Sequence, residues 1–300
     1  MPQGPLPVLI SNAVGNSWFV NEAVGSDSNG GTAQAPFATL AAAQSAASAN
    51  HNDVVYLSGT AHQTTTLNWA KNGVSLVGLS APSDNDRSRI SASGSTVFSP
   101  LVNVTAQGCS FVNLGTFHGF DDASTQICWS DTGGRNFYST VQFLGMANAT
   151  AAAQAGSRSL VVGGSGENLF VGCTVGLDTV LRATNTNASL ELISGTPRNI
   201  FRQTQFQAIV SDAADVHVLV AAGGIDRYVL FDDCLFMNAV DSTGTIMNAA
   251  ISASASAGGS IVLNPSCLSI GATAIAVSGP VYGPIGALGA TTWGIGGKLT

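Results

Sequence analysis

Charged residues are scarce in this sequence. Asp, Glu, Lys and Arg make up 9% of its 300 residues, whereas an average domain has about 25%. Ten Lys and Arg against seventeen Asp and Glu give a formal net charge of −7, and no basic run is present. Nucleic-acid binding needs a clustered positive surface, so these features disfavour nucleic acid as a partner.

Long apolar runs and clustered metal-ligand residues are missing as well. No apolar stretch reaches the roughly 18 residues of a transmembrane helix, so we predict no membrane span, and the N-terminus lacks the basic region of a secretory signal. The five cysteines include no CxxC pair, and the four histidines are scattered, unlike the ligands of a metal site. We expect no metal, no cofactor, cysteines that act as small buried hydrophobic residues, and folding in a reducing cytoplasm.

What the sequence does contain is a degenerate repeat. Six segments align, and their starts are separated by 32, 32, 31, 30 and 33 residues. The segments are VTAQGCSF at 104–111, NFYSTVQF at 136–143, NLFVGCTV at 168–175, NIFRQTQF at 199–206, VLFDDCLF at 229–236 and VLNPSCLS at 262–269. A fixed period of this size predicts a solenoid, in which one body uses the whole length of the chain.

Each segment predicts a strand, a corner and a second strand. The sixth and eighth positions share one face of a strand, and they hold small residues such as Cys234 and aromatic residues such as Phe236. The third position is aromatic in the middle copies but has the opposite parity, so a bend must lie between the third and sixth positions. Glycine-rich turns before most copies supply another corner. This pattern predicts coils of about three short strands.

The two ends of the chain differ from the repeat. Residues 1–16 are predicted to form an extended arm. A strand at Trp18–Val20 precedes an Ala-rich helix near 36–47, which would cap the open end of the solenoid. Residues 279–300 form a Gly- and Pro-rich but apolar tail, which we expect to pack along its own solenoid or on an adjacent subunit.

The N-terminal part also resembles a known superfamily. The strings WFVNEAVGSDSNGGTAQAPFATLAAAQSAA and DVVYLSGTAHQTTTLNWAKNGVSLVGLS, together with NLFVGCTVGLDTV and YVLFDDCLFMNAV further on, resemble the cap and coils of the pectin-lyase-like superfamily. The resemblance implies an all-β, right-handed, single-stranded parallel β-helix over 17–278, with a short N-terminal capping helix. The coil pattern also resembles β-helical structural proteins of tailed bacteriophages, which include tailspikes and trimeric proteins on the capsid surface.

Residues suited to catalysis are few. His118, Asp121 and Asp122 in FHGFDDAS form the best catalytic-looking cluster, although a solvated loop explains them as well. Asp232 and Asp233 fall at a predicted corner, where aspartates commonly bond their own backbone. The sequence has no P-loop and no GxSxG motif, so we assign no catalytic, cofactor-binding or metal-binding residue.

Arginines recur just before three repeat segments, at Arg135, Arg198 and Arg227. A row of arginines along one rim of the stack would either form ion pairs there or bind an acidic partner or glycan.

The predicted function rests on fold analogy. It is a non-enzymatic bacteriophage virion structural protein, a capsid decoration or cement protein that acts as a homotrimer on the capsid surface. Its partners would be the major capsid protein or other virion proteins, and it would be synthesised in the host cytoplasm. Two alternatives stay open: a tailspike-like receptor-binding or polysaccharide-degrading β-helix protein, and a non-viral surface protein.

Overall fold

The chain folds as a parallel β-helix whose strands stack coil upon coil into three sheets. The computed structural model describes residues 15–83, 86–183, 187–240, 244–276, 279–283 and 297–298. Strands that follow one another along each stack pair in parallel, and the coils from Val54–Leu57 to Ala272–Ala276 contribute to all three sheets in turn. The predicted all-β parallel β-helix is therefore confirmed. None of the helices among these residues is long and apolar enough to cross a bilayer.

The first sheet contains the strands Ser17–Val20, Val54–Leu57, Ser75–Gly78, Ser110–Phe117, Phe137–Leu144, Leu169–Val171, Thr196–Arg202, Ile225–Asp232, Ser260–Leu263 and Val281–Gly283. The second sheet contains Thr60–Gln63, Arg89–Ala92, the C-terminal halves of Ser110–Phe117 and Phe137–Leu144, then Thr174–Val175, Gln205–Val210, Leu235–Asn238 and Leu268–Ile270, with Leu181–Arg182 beside the end of Gln205–Val210. The third sheet contains Leu67–Trp69, Val102–Val104, Ile127–Asp131, Arg158–Val162, Ala188–Leu192, Val216–Val220, Met247–Ala253 and Ala272–Ala276.

Aromatic residues stacked between coils form the centre of the core. The stack consists of Phe111, Tyr138, Phe170, Phe201 and Phe231, whose successive ring centroids are 5.0, 4.5, 4.4 and 5.2 Å apart. All five side chains are fully buried. Parallel strands about 4.8 Å apart place like residues directly over one another, so the third position of the repeat becomes a continuous aromatic column.

The predicted register of the first repeat copy is wrong. Phe111 pairs with Tyr138, whereas the alignment of 104–111 with 136–143 placed it opposite Phe143. Cys109 consequently lies at the corner before the first sheet, and Leu114 occupies the position opposite Val141. The physical reason is the aromatic column, because the shifted register buries the Phe111 ring flat against Tyr138.

The corners between the first and second sheets are formed by residues in the left-handed backbone region. Asn113, Thr140, Gly172, Gln203 and Asp233 all have φ between 50° and 61°. These residues interrupt the alternation of inward and outward side chains. The third and sixth positions of the repeat can therefore both point inward, as the sequence predicted.

A buried asparagine ladder, which the sequence reading missed, forms the corner before the first sheet. The side-chain oxygens of Asn136, Asn168 and Asn199 accept hydrogen bonds from the backbone amides of Cys109, Asn136 and Asn168 in the preceding coils, at 2.9, 2.9 and 3.1 Å. Each amide oxygen satisfies a buried donor that the bend removes from the strand ladder. The signal was visible in the sequence, because asparagine is the first residue of three consecutive repeat segments.

A short helix at Leu40–Ala46 covers the N-terminal end of the core. Thr39 caps it by accepting from the backbone amide of Ala42 at 3.1 Å, and Leu40 and Ala43 are buried against the first coil. The helix begins four residues later than the predicted start at 36. A second helix, Ala149–Ala152, lies between the second and third sheets.

Both predicted terminal segments lie mostly outside the described residues. Of the arm 1–16, only 15 and 16 are described, and of the tail 279–300, only 279–283 and 297–298. Gly297–Lys298 pairs antiparallel with Val281–Gly283, so this part of the tail lies against the last coil. The arm as a separate segment stays a prediction.

Candidate binding cleft

The outward face of the second sheet carries a row of amide and hydroxyl side chains. Gln142 pairs with Thr174, and Thr174 pairs with Gln205, so three adjacent coils present a polar group at the same position. Their spacing is that of neighbouring strands, ~4.8 Å. Together with Gln207, two residues beyond Gln205 on the same face, these residues form what we call the amide cleft.

Three cavities lie along this row. Cavities of about 290 and 240 Å³ share Gln142 and Thr174, and a third of about 330 Å³ contains Gln205. The first is lined by Pro82, Ser83, Thr140, Gln142, Gly172 and Thr174. The second is lined by Phe117, Gln142, Leu144, Thr174, Leu177, Asp178, Thr179 and Gln207. The third is lined by Gln203, Thr204, Gln205, Asp233 and Leu235.

Gln142 connects the floor of the cleft to one wall. Its side-chain nitrogen donates to the carbonyl oxygen of Ser83 at 2.6 Å, and its side-chain oxygen accepts from the backbone amide of Asp86 at 3.3 Å. Both ends of the amide are therefore fixed by backbone far away in sequence. The amide is buried and cannot rotate freely, so it holds the segment around Ser83 against the sheet.

The opposite wall depends on Gly176. This residue has φ of +106°, and an added Cβ would lie 2.1 Å from the carbonyl oxygen of Gln207 and 2.7 Å from the hydroxyl of Ser189. Only glycine fits this backbone and this close approach. The chain can then turn outward at once, which places Leu177 and Asp178 beside the cleft.

The glutamines at the centre of the cleft are linked to each other. Gln205 donates from its side-chain nitrogen to the side-chain oxygen of Gln207 at 3.0 Å, and Gln207 donates to the carbonyl oxygen of Gly176 at 3.3 Å. Both glutamines remain half-exposed. A preorganised amide of this kind presents both donors and acceptors to a ligand rich in hydroxyl groups.

Two carboxylates and one stacked cation border the cleft. Asp178 is half-exposed in the second cavity, and Asp233 is exposed in the third. At the N-terminal end, the guanidinium carbon of Arg89 lies 5.8 Å from the centroid of the Phe117 ring, a distance typical of a cation–π contact. The cleft thus combines amides, hydroxyls, carboxylates and an aromatic ring.

The structure does not bring His118, Asp121 and Asp122 together as a catalytic cluster. Nε2 of His118 is 3.1 Å from the carbonyl oxygen of Phe98, and burial lowers the pKa of His118 to about 4. Asp121 accepts a hydrogen bond from the hydroxyl of Thr150. These contacts do not form a catalytic cluster, and the predicted alternative of a solvated loop does not describe His118, which is fully buried.

The third member of that predicted cluster has a local role. The backbone amide of Ser124 donates to the carboxylate of Asp122 at 2.8 Å. Hydrogen bonds from Ser124 lower the pKa of Asp122. This is the arrangement of an exposed Asx turn.

Asp232 and Asp233 differ from the prediction that they bond their own backbone. Asp232 accepts from Nε of Arg202 at 2.8 Å and from the side-chain nitrogen of Asn264 at 2.6 Å. Asp233 accepts from the side-chain nitrogen of Gln203 at 3.3 Å. Coil stacking explains the difference, since the adjacent coils place side-chain donors within hydrogen-bond distance of both carboxylates.

The recurring arginines form ion pairs along the rim. Glu167 bridges two coils by accepting from Nε of Arg135 at 2.8 Å and from the guanidinium of Arg198. These bonds lower the pKa of Glu167 to about 2. Arg227 lies 3.6 Å from Asp226. Ion pairing is thus the observed role of this row.

Among the described residues, no group of three or more His, Cys, Asp or Glu is placed to hold a metal ion.

Known proteins match this chain in structure but not in sequence. No family model and no curated protein matches the sequence. The crystal structure of pectate lyase Pel9A matches with a TM-score of 0.59 at 14% identity, covering 85% of this chain and 63% of the lyase. A rhamnogalacturonan lyase matches with a TM-score of 0.53 at 13% identity, covering 85% and 68%. A pectin methylesterase from Aspergillus niger matches with 0.53 at 12% identity, covering 97% and 93%.

These likenesses define the class of protein by its fold. The chain shares the parallel β-helix fold of these structures, and it covers about 63% of the length of pectate lyase Pel9A. The prediction that the chain is not an enzyme is corrected by these matches. That prediction drew on fold analogy with structural proteins, whereas the matched structures are lyases and esterases.

Proposed function

We propose that this protein acts on a polysaccharide held lengthwise in the amide cleft. The observation that carries the proposal is the row of Gln142, Thr174 and Gln205 on three adjacent coils, each of which lines at least one of the three cavities. A linear glycan repeats its hydroxyl groups along one direction, and the coils repeat their amides along one direction. Hydrogen bonds of this kind contribute about 1 kcal/mol each, so several coils together would supply useful affinity.

Asp178 is the residue we assign as the acid–base group. Its carboxylate is half-exposed within the second cavity, next to Gln142 and Gln207. Polysaccharide hydrolysis and elimination both require proton transfer at the sugar, and carboxylates perform it in many glycosidases. Asp233 lies at the next cavity along the row and would contact the same chain further along.

Binding and turnover are tested separately. The purified chain is titrated calorimetrically with polygalacturonate, methyl-esterified pectin and neutral glucans, and product formation is followed by reducing ends, unsaturated sugar absorbance and released methanol. The double variant Gln142→Ala with Gln207→Ala should weaken binding at least tenfold. Asp178→Asn should abolish turnover but retain binding.

The matched control is Gln107→Ala, because Gln107 lies at a different corner of the coil, near Asn72 and Ser165. It should bind like the unchanged protein. Equal binding by all variants, or no binding to any polysaccharide of a broad panel that includes bacterial capsular glycans, would overturn the proposal.

A second candidate is a role in a virion, with assembly as a homotrimer and contact with capsid proteins. The observation that favours an assembly is a cluster of exposed apolar side chains at the C-terminal coils, which we call the C-terminal apolar patch: Val240, Ile246, Leu268 and Ile270, each 45% to 55% exposed. Exposed apolar surface of this kind is typical of interaction sites. Localisation on a capsid surface remains a prediction.

The assembly is tested by sedimentation equilibrium, followed by a pull-down against assembled capsid shells. A trimer that dissociates when Leu268 and Ile270 are both changed to Gln supports the second candidate. A monomer that ignores shells rejects it without affecting the cleft.

A further inference from the structure

Two thiols lie on adjacent coils near the C-terminal end of the stack. Leu235 pairs with Leu268 in the second sheet, so Cys234 and Cys267, the residues just before them, lie one above the other. The backbone amide of Leu268 donates to the carbonyl oxygen of Cys234 at 2.9 Å. Strand spacing of ~4.8 Å falls inside the range of Cα separations that a disulfide spans.

Each of the two sulfur atoms lies against the coil before its own. Cys234 Sγ lies 3.3 Å from the carbonyl oxygen of Phe201, and Cys267 Sγ lies 3.3 Å from that of Phe231. Phe201 and Phe231 are themselves paired neighbours, so the two thiols occupy equivalent sites in successive coils.

The two thiols differ in access and in acidity. Cys234 is buried, whereas Cys267 is half-buried. Interaction with the adjacent Cys234 thiol lowers the pKa of Cys267, and the same interaction and burial raise the pKa of Cys234. The accessible member of the pair is therefore the more acidic one, and the thiolate is the reactive form of cysteine.

The other thiol in this column has different neighbours. Cys173 lies between Val141 and Thr204, since Gln142, Thr174 and Gln205 are successive partners. Cys173 is buried, and burial raises its pKa to about 12. It therefore has neither a resolving thiol nor access to an oxidant, and it serves as an internal reference.

We propose that Cys234 and Cys267 form a dithiol site that hydroperoxides oxidise to a reversible disulfide. The Cys267 thiolate attacks one peroxide oxygen; an S–O bond forms, the O–O bond breaks, and the leaving oxygen takes a proton as water or an alcohol. Cys234 sulfur then attacks Cys267 sulfur; the S–S bond forms, the S–O bond breaks, and the hydroxide leaves as water with the proton of Cys234. Two thiols lose two electrons and one peroxide gains them.

The test treats the full chain with one equivalent of hydrogen peroxide, then denatures it, alkylates it and measures intact mass and linked peptides. Of five cysteines, three should be alkylated after oxidation and all five after added dithiothreitol. The linked peptide should join Cys234 to Cys267. Cys173→Ser should leave this result unchanged.

A second variant separates the two chemical steps. Cys234→Ala should stop the reaction at the sulfenic acid of Cys267, which dimedone traps. Five alkylated cysteines after peroxide, or oxidation distributed equally over Cys109, Cys128 and Cys173, would overturn the proposal. The peptide map of the unchanged protein gives this answer even if the variant does not fold.

Discussion

The outward face of the second sheet differs between its middle and its C-terminal coils. Gln142, Thr174 and Gln205 occupy one position in the middle coils, and Leu235 and Leu268 occupy the same position in the next two. The inward side changes later, since aromatic rings stack as far as Phe231 and Leu263 follows only in the last of these coils. A solenoid therefore fixes its interior by stacking and leaves its exterior free to carry different functions.

The coil between these regions spans the strands Thr196–Arg202, Gln205–Val210 and Val216–Val220. A substitution in its interior tests directly whether ring stacking stabilises the core. Phe201 is fully buried, with ring centroids 4.4 Å from Phe170 and 5.2 Å from Phe231. Phe201→Ala should lower the free energy of unfolding by about 3–5 kcal/mol. Urea denaturation measures it, and a loss below 1 kcal/mol would contradict the continuous column.

The same coil contains a buried acid and a buried base with opposite pH effects. Burial is the main reason that the pKa of Asp215 rises to about 7 and that of His217 falls to about 3. Neither carboxylate oxygen of Asp215 nor either ring nitrogen of His217 has a hydrogen-bond partner among the described residues. Asp215 therefore stabilises the fold at low pH and loses this contribution as the pH rises from about 4 to 7. His217 loses its contribution as the pH falls from about 6.5 to 3.

These two contributions oppose each other between about pH 4 and 6.5. Asp215→Asn should leave the His217 effect alone, so stability relative to the unchanged protein should fall as the pH drops through this window. His217→Gln should give the opposite slope. Each difference should amount to roughly 1–3 kcal/mol, measured by urea denaturation at several pH values. Parallel curves for both variants would refute the assignment.

The interior of this fold was predictable from the sequence, whereas the cleft was not. Aromatic residues recur at one repeat position, namely Tyr138, Phe170, Phe201 and Phe231, because stacking requires like residues. This requirement produces a periodicity that is visible in the sequence. Gln142 and Gln207 do not recur at a fixed repeat position, because outward positions accept most polar residues. Their meaning depends on walls built by Ser83 and Leu177, which lie in irregular segments whose path no local pattern specifies.

Adding an amide to the polar row tests whether the row determines polysaccharide affinity. Leu235 borders the third cavity and pairs with Gln205, so Leu235→Gln should add one more amide to the row. We expect polysaccharide affinity to increase by about two- to fivefold, in line with one net hydrogen bond. The converse change, Gln205→Leu, should decrease it by a similar factor. Calorimetric titration measures both, and affinity that follows neither change would separate binding from the row.

The smallest effect is expected where the outward face is apolar and exposed. Leu268 and Ile270 are 55% and 46% exposed, so changing both to Gln removes little buried surface. The free energy of unfolding of the single chain should change by less than about 0.5 kcal/mol. Chemical denaturation at low protein concentration measures it. If the loss instead grows with protein concentration, the patch is buried between copies of the chain, because subunit association contributes to apparent stability by mass action. The outward face would then be divided between a ligand row in the middle coils and an assembly surface at the C-terminal coils.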